Sequence, residues 1–228
     1  MALSRALVVS ILAAVPASAS FAQFANFDSE IEGFKGDSFF SSGITFFDAN
    51  NVSGFYPDGS PFNPEDNGTD LIVENALFAA NDFPEFLSAK NALTFGRAFI
   101  PGDNVSLGAL ATASMTTGST VSGVSFDMVY YENGPWGGIE VILEALSGGS
   151  VVGSTSFIVA GSDPDGRDNP AGIHMSLSGF DFDTARISAR LNGEYTTIRA
   201  LVDNVSFVPA PGALAMLGLA GLGARRRR

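Results

Sequence analysis

The sequence predicts an all-β domain with a β-sandwich architecture. Apolar and polar residues alternate with a period of two in several segments, and stretches rich in Gly, Ser, Asn and Asp separate those segments. Many short strands joined by Gly-rich turns are typical of a sandwich. The chain has 228 residues, which is enough for one domain of this kind, and no internal repeat or long linker divides it.

The alternation places the strands in order along the chain. It is clearest over residues 121–130, which read VSGVSFDMVY. Strands over residues 138–146 and 150–160 flank the segment Ser147-Gly148-Gly149, which predicts a hairpin turn. The other expected strands are residues 44–48, 71–78, 92–100, 104–112, 184–191 and 198–208.

Two segments depart from the strand pattern. Residues 55–70 contain three Pro and two Gly and therefore predict a long surface loop. Residues 83–92 are the one segment that favours a helix, because Pro84 is suited to a first helical turn.

The N-terminal end predicts export. Residues 1–22 have the form of a secretory signal peptide, with Arg5 ahead of an apolar run over residues 6–15 that is too short to span a bilayer. Small residues allow cleavage after Ala22, which we favour, or after Ala19. An uncleaved anchor helix is the alternative.

The C-terminal end predicts a membrane stop. Val208, Pro209, Ala210 and Pro211 precede an apolar run rich in Gly and Ala, which is too short to be a strong permanent anchor. The chain ends in a cluster of arginines, which holds such a segment on the cytoplasmic side of a membrane. These arginines are Arg225, Arg226, Arg227 and Arg228.

This order of parts resembles the PEP-CTERM sorting signal of exopolysaccharide-producing bacteria. One departure is Ala210, which stands where that family most often has Glu. The resemblance implies transient contact with the membrane and processing by an exosortase-type membrane protease. It divides the chain into a signal peptide (residues 1–22), a β-sandwich domain (23–208) and a sorting signal (209–228). A plain C-terminal membrane anchor is the alternative.

The charge distribution restricts the partners of the middle domain. All 24 acidic residues lie between the two ends, whereas five of the 12 basic residues lie in the ends, so the middle carries an excess of 17 negative charges. Nucleic acid is therefore not an expected partner, because phosphate binding needs a basic surface. Calcium is compatible with this charge, and a solubilising surface is the alternative. The chain has no Cys, which excludes thiol catalysis and Cys-type zinc sites.

A second resemblance is carried by segments spread in order over the middle of the chain. They are FDSEIEGF at 27–34, GITFFD at 43–48, AKNALTFG at 89–96, VSGVSFDMVY at 121–130, VILEALSGGSVVGSTSF at 141–157 and ALVDNVSF at 200–207. Together they resemble the jelly-roll domain found ahead of PEP-CTERM tails, which is similar to galactose-binding-like carbohydrate-binding modules. The resemblance implies a structural Ca²⁺ ion between the first and last strands, held by Asp28 in the first strand and Asp203 in the last, with Asn26 and Glu30 as helpers. The alternative is that Asp203 and Asn204 only shape a bulge or turn.

Other residues with chemical potential are few. His174 is the only His and falls on the polar face of an alternating segment, so a catalytic triad is not expected. The acidic turn that begins at Asp163 is like half a Ca²⁺ loop, but His174 occupies the twelfth position, where an EF-hand needs Glu. Trp136, the sole Trp, together with Tyr131, is a candidate for stacking on a sugar, and the alternative is that Trp136 covers the end of the sandwich.

Together these features predict a protein that is exported by the Sec pathway, sorted to the cell surface and non-enzymatic. We expect it to associate with exopolysaccharide or the biofilm matrix. A lectin-like carbohydrate-binding module is one alternative. A secreted glycoside-active enzyme, which would need paired carboxylates in a cleft, is another.

Overall fold

Strands make up most of the described chain, and all of their pairings are antiparallel. The computed structural model describes residues 22–88, 90–96, 109–132, 138–159 and 169–210. Two short helices are present in this part of the chain, α1 (Pro64–Asn67) and α2 (Leu77–Asp82). The strands are β1 (Gln23–Ala25), β2 (Gly33–Gly36), β3 (Ser38–Ser41), β4 (Ile44–Phe47), β5 (Gly54–Phe55), β6 (Pro61–Phe62), β7 (Leu71–Asn75), β8 (Asn91–Phe95), β9 (Ala109–Leu110), β10 (Thr112–Glu132), β11 (Glu140–Ser147), β12 (Ser150–Ile158), β13 (Asn169–Leu191), β14 (Glu194–Tyr195) and β15 (Ile198–Pro209).

The two longest strands, β10 and β13, each change neighbours halfway along their length. Residues 112–116 of β10 pair with β13, and residues 114–116 also pair with β4 on the other side, whereas the part that follows pairs with β13 and β15. The register of β10 against β13 shifts between Thr116 and Val121. Gly118 and Gly179 lie between the two halves of their strands with φ of 71° and 91°, which glycine adopts without strain. Bends of this kind let one strand serve two packed sheets.

The resulting layers are connected through these two strands. One layer has the order β12, β11, second half of β13, first half of β10, β4 and β3. The other has the first half of β13, the second half of β10, then β15, β8, β7 and β2. Strands β1 and β9 pair with β15, β14 pairs with β13, and β5 and β6 form a separate two-stranded sheet.

The inner faces of both layers form one hydrophobic core. Phe182 of β13 packs against Phe207 of β15, with 6.4 Å between their ring centroids. Tyr130 of β10 packs against Phe157 of β12 in the same way, with 5.3 Å between centroids. The predicted fold class, an all-β protein with a sandwich-like architecture, is therefore confirmed.

The helix prediction for residues 83–92 is wrong. The helix in this region is α2, which ends before Phe83, and residues 84–86 form a turn. Phe83 has φ −128° and ψ 55°, because the ring of Pro84 disfavours the helical conformation in the residue that precedes it. Pro84 therefore follows a helix and does not begin one.

The predicted loop over residues 55–70 contains short regular elements. Strands β5 and β6 form a hairpin, and α1 follows it. Asn63 caps α1, because its Oδ1 accepts a hydrogen bond from the N–H of Asp66 at 3.0 Å and its own N–H donates to the Asp66 carboxylate at 3.2 Å. This reciprocal capping box explains why a Pro-rich segment holds one helical turn. No helix in the described part of the chain is long and apolar enough to cross a membrane.

A buried amide, that of Asn50, joins three distant segments. Its side chain is fully buried. Nδ2 donates to the carbonyl oxygens of Gly68 at 3.1 Å and Ala109 at 2.8 Å. Oδ1 accepts from the N–H groups of Ala111 at 2.7 Å and Thr112 at 3.3 Å. The Asn50 side chain therefore satisfies buried backbone groups on either side of the β9–β10 junction.

We expect Asn50→Ala to lower the free energy of unfolding by about 2–4 kcal/mol, because it leaves several buried backbone groups unsatisfied. The measurement is urea unfolding. Asn51→Ala is the matched control, since Asn51 is exposed and makes one side-chain bond, to Asp48 at 2.9 Å; its effect should stay within about 0.5 kcal/mol. Equal losses in the two variants would contradict this role for Asn50.

Candidate functional site

The structure brings Asp28 and Asp203 to one place. Strand β1 pairs with β15, with Ala25 opposite Val205, so the chain that leaves β1 passes beside Asp203. The turn that follows is closed by a hydrogen bond from the N–H of Glu30 to the carbonyl oxygen of Phe27 at 2.9 Å. Asp28 lies in this turn, and not in the first strand as the sequence suggested.

The hydroxyl of Ser88 connects the two carboxylates. Ser88 Oγ lies 2.6 Å from Asp203 Oδ2, 3.0 Å from Asp28 Oδ1 and 3.0 Å from the carbonyl oxygen of Asn26. A hydroxyl has one proton to donate. Three acceptor oxygens therefore compete for a single donor at the centre of this cluster.

Backbone groups hold the Asp28 carboxylate in position. Its Oδ1 accepts from the N–H groups of Lys90 at 3.0 Å and Asn91 at 3.2 Å. Its Oδ2 accepts from Nδ2 of Asn26 at 3.3 Å. The Asn91 side chain also donates through Nδ2 to the carbonyl oxygen of Glu30 at 2.9 Å. The turn after β1 and the segment before β8 are thus tied to each other around one carboxylate.

The Asp203 carboxylate is fully buried. Burial raises its pKa from an ordinary value of 3.8 to about 7, although hydrogen bonds from Ser88 and Asn204 act in the opposite direction. The neighbouring carboxylate of Asp28 raises the pKa further. Near neutral pH the cluster therefore has to accommodate a carboxylate that its surroundings destabilise.

The alternative to an ion site was that Asp203 and its neighbour shape a bulge, and a bulge is present here. Between the pairs Ser125–Ser206 and Asp127–Asp203, β15 has one more residue than β10. Asn204 lies in this bulge with φ of 51°. The bulge and the carboxylate cluster are thus compatible, since the extra residue lies beside the buried Asp203.

The donor set of this cluster fits Ca²⁺. Hard cations take oxygen ligands from carboxylates, backbone carbonyls and side-chain amides, and Asp28, Asp203, Asn26 and Ser88 present such oxygens. Asn91, whose N–H donates to Asp28, has a buried amide oxygen with no hydrogen-bond partner among the described residues. Within those residues, no group of three or more His, Cys, Asp or Glu side chains could hold a metal, so an ion here would depend on two carboxylates and neutral oxygens.

The expected helper residues have different positions. Asn26 contributes its carbonyl oxygen to the cluster. The Glu30 carboxylate instead accepts a hydrogen bond from Ser41 Oγ at 2.6 Å. The sequence did not point to Ser88 and Asn91, because both lie within residues 83–92, the segment that was expected to be helical.

His174 lies on the outer surface, as the alternation predicted. Its side chain is 58% exposed, and Nδ1 is 2.7 Å from Asp127 Oδ1. The other oxygen of Asp127 accepts from Nδ2 of Asn204 at 3.0 Å. In the described part of the chain no Ser hydroxyl is hydrogen-bonded to His174, so these contacts join three neighbouring strands and do not form a triad.

Several predicted sites lie wholly or partly outside the described residues. Trp136, the acidic turn from Asp163, Pro211 and the Arg225–Arg228 cluster fall there, and so does the signal peptide up to residue 21. The backbone of Tyr131 belongs to β10. Of the sorting motif, Val208 and Pro209 belong to β15, Val208 is 53% exposed and Ala210 is buried.

Comparison with known proteins gives limited similarity. No family model matches the chain, and no curated protein matches it. Among solved structures, a cleaved adhesin domain of Lys-gingipain is 10% identical with a TM-score of 0.43, and the match covers 83% of this chain and 98% of that one. A second cleaved adhesin domain of Lys-gingipain, from Porphyromonas gingivalis, is 9% identical with a TM-score of 0.41, covering 84% and 99%.

We expect the metal-free protein to lose stability as the pH rises from about 5 to 7. Because the pKa of Asp203 is about 7 in the folded state and 3.8 is its ordinary value, the folded state keeps a proton that the unfolded state has lost. The stabilisation by that proton disappears as the pH rises through the folded-state pKa. The slope should reach at most about 1.4 kcal/mol per pH unit, measured by urea unfolding in metal-depleted buffers.

Asp203→Asn should flatten this dependence, because the amide does not titrate. Asp48→Asn, at an exposed carboxylate, is the control and should keep the wild-type slope. The assignment would be contradicted by a slope in Asp203→Asn that equals the slope of the wild type.

Proposed function

We propose that this chain is an exported, surface-sorted and non-enzymatic β-sandwich protein that is stabilised by Ca²⁺ and associates with extracellular polysaccharide. The observation that carries the calcium part of the proposal is the convergence of Asp28, Ser88 and Asp203, which joins the turn after β1, the segment before β8 and the last strand. A cation at this point would hold together both ends of the domain.

The form of the two termini supports export and sorting. The signal-peptide pattern precedes β1, and the Pro-containing motif begins within the last two residues of β15, Val208 and Pro209. Ca²⁺ at Asp203 would act five residues before Val208, where the sorting motif begins. It would therefore stabilise the strand that leads into the segment on which an exosortase-type protease would act.

The first residues of the predicted sorting motif are paired in the sheet, and this limits where a protease could cut the folded protein. Gly123 pairs with Val208 and Val121 pairs with Pro209, and Ser122 Oγ donates to the carbonyl oxygen of Pro209 at 3.1 Å. A protease needs an extended, accessible substrate, and these residues are engaged in the sheet. Cleavage of the folded protein is therefore expected after Ala210, with the arginine cluster removed.

A lectin-like role is the second candidate. The observation that favours it is a cleft between the β5–β6 and β13–β14 hairpins, whose lining includes Phe55, Tyr56 and Tyr195. Trp136 and Tyr131 remain the residues that the sequence proposes for sugar stacking.

We expect Ca²⁺ to raise the melting temperature of the mature domain. An ion that binds only the folded state adds about 2.7 kcal/mol at a hundredfold excess over its dissociation constant, which corresponds to several degrees at roughly 2–4 °C per kcal/mol. The measurement is thermal unfolding with Ca²⁺ and with chelator. The Ca²⁺ effect should be larger at about pH 8 than at about pH 6, because at lower pH the ion competes with a proton on Asp203.

Two variants locate the ion. Asp203→Asn should lose most of the Ca²⁺ effect, whereas Asp48→Asn should keep it. If the chelator leaves the wild-type melting temperature unchanged, the ion is not structural. If Asp203→Asn responds as fully as the wild type, the ion binds elsewhere, and the acidic turn from Asp163 is the next candidate.

We also expect the mature protein to begin at Gln23, or at Ser20 as the second choice, and to lack Arg225–Arg228. Intact-mass spectrometry of the surface protein measures both ends at once. Replacing the four arginines with Ser should impair sorting, because the cytoplasmic stop is lost. Normal surface delivery of that variant with an intact C-terminus, or retention of Met1 on exported protein, would refute the respective processing step.

A further inference from the structure

Two hairpins enclose a cleft with aromatic walls, which we call the aromatic cleft. Its volume is about 210 Å³. One wall is the β5–β6 hairpin and the other is the β13–β14 hairpin. Phe55 is 48% exposed. The lining includes Phe55, Tyr56, Leu191, Asn192, Glu194 and Tyr195.

The Tyr195 ring is held in a fixed position by Arg190. The two residues face each other across the β13–β14 hairpin, and the Arg190 guanidinium lies 4.1 Å from the centre of the Tyr195 ring. Arg190 also donates from Nη1 to the carbonyl oxygen of Gly193 at 3.0 Å. Asn192 and Gly193 both have positive φ, of 53° and 87°, as a tight two-residue hairpin turn requires.

Close backbone contact fixes the spacing between the two walls. A Cβ atom at Gly54 would lie 2.1 Å from the carbonyl oxygen of Tyr195, so only glycine allows the hairpins to approach this closely.

Contacts within the β5–β6 hairpin hold Tyr56 in place. The N–H of Tyr56 donates to the carbonyl oxygen of Ser60 at 2.8 Å. The ring of Tyr56 packs on that of the buried Phe62 with 5.1 Å between centroids.

A side-chain contact further stiffens the loop at the tip of the β5–β6 hairpin. Asp58 Oδ1 accepts from the hydroxyl and the N–H of Ser60, which lowers the pKa of Asp58 below its ordinary value. The wall of the cleft is therefore formed before any ligand arrives, and such preorganisation reduces the entropy lost on binding.

We propose that the aromatic cleft binds a neutral saccharide. The C–H face of a sugar ring packs on aromatic rings, and its hydroxyls need acceptors and donors at the edge. Glu194 and Asn192, both exposed, line the cleft beside Tyr195 and supply a carboxylate and an amide. The acidic excess of the domain disfavours a polyanionic ligand.

Another cleft in the described part of the chain, lined by Asp37, Phe47, Asp48, Ala49, Asn51 and Thr69, fits a sugar less well. It measures about 520 Å³ and contains one aromatic residue, Phe47. Its two carboxylates already accept hydrogen bonds within the protein, Asp37 from Thr69 at 2.9 Å and Asp48 from Asn51 at 2.9 Å. The aromatic cleft has three aromatic residues and is therefore the better platform.

The saccharide proposal rests on the polysaccharide association proposed above and deepens it, because it names a binding site and a class of ligand. The aromatic cleft shares no residue with the Asp28–Asp203 cluster. Loss of sugar binding with an intact Ca²⁺ response, or the reverse, therefore separates failure of one proposal from failure of the other.

The test is affinity electrophoresis of the mature domain in native gels that contain a neutral β-glucan, a xylan, a galactomannan or alginate. We expect retardation by at least one neutral polysaccharide and none by alginate. Tyr195→Ala and Phe55→Ala should weaken binding by roughly tenfold, which corresponds to about 1.4 kcal/mol. Phe40→Ala is the matched control, because Phe40 is a 66% exposed phenylalanine in β3, outside the cleft.

A further variant distinguishes loss of binding from misfolding. Asn192→Gly removes the amide from the cleft while keeping the positive φ of the turn, so this variant should fold with a wild-type melting temperature and bind more weakly. Absence of retardation by all three neutral polysaccharides would overturn the proposal. So would binding that survives Tyr195→Ala and Phe55→Ala, binding that is lost only in Trp136→Ala, or selective binding of a proline-rich peptide in place of the polysaccharides.

Discussion

The buried carboxylate of Asp203 is the constraint on which the arrangement of both ends of the domain depends. It lies in the last strand, and its nearest donors belong to Ser88, more than a hundred residues earlier in the chain. Since an unsatisfied buried charge is costly, the segment before β8 must stay close to β15. Ser88 in turn contacts Asn26 and Asp28, so the turn after β1 is held by the same requirement.

The period-two pattern was sufficient for the fold class but not for the layout of the layers. Residues 121–130 and 184–191 were recognised as strands, yet each is part of a longer strand that serves both layers. The positive φ of Gly118 and Gly179 makes the bends possible, but a glycine within a strand pattern is equally compatible with a turn. The helix was misplaced for a related reason: Pro84 is compatible with both the start and the end of a helix, and the conformation of Phe83 decided between them.

The candidate cation site was predictable only in part. Asp28 and Asp203 could be named because a resemblance places the first and last strands together. Ser88 and Asn91 could not, because their contribution depends on a turn that the sequence pattern assigned to a helix. The aromatic cleft could not be predicted from the sequence, since it arises from contact between Gly54 and Tyr195, which are 141 residues apart along the chain. Non-local backbone contacts of this kind leave no local pattern.

The same cluster would link proton binding, the proposed Ca²⁺ ion and the C-terminal strand. A proton on Asp203 and a cation beside it are alternative ways to neutralise one buried charge, so each weakens the binding of the other. A site with two carboxylates and neutral oxygens has a low ligand charge for calcium, and low charge belongs to the weaker sites found in extracellular modules, with dissociation constants on the order of 10⁻⁴–10⁻³ M. Such a site would fill only where Ca²⁺ is abundant. Because β15 continues from Asp203 to Pro209, the stability of the strand that carries the start of the predicted sorting motif would then depend on the surrounding Ca²⁺ concentration.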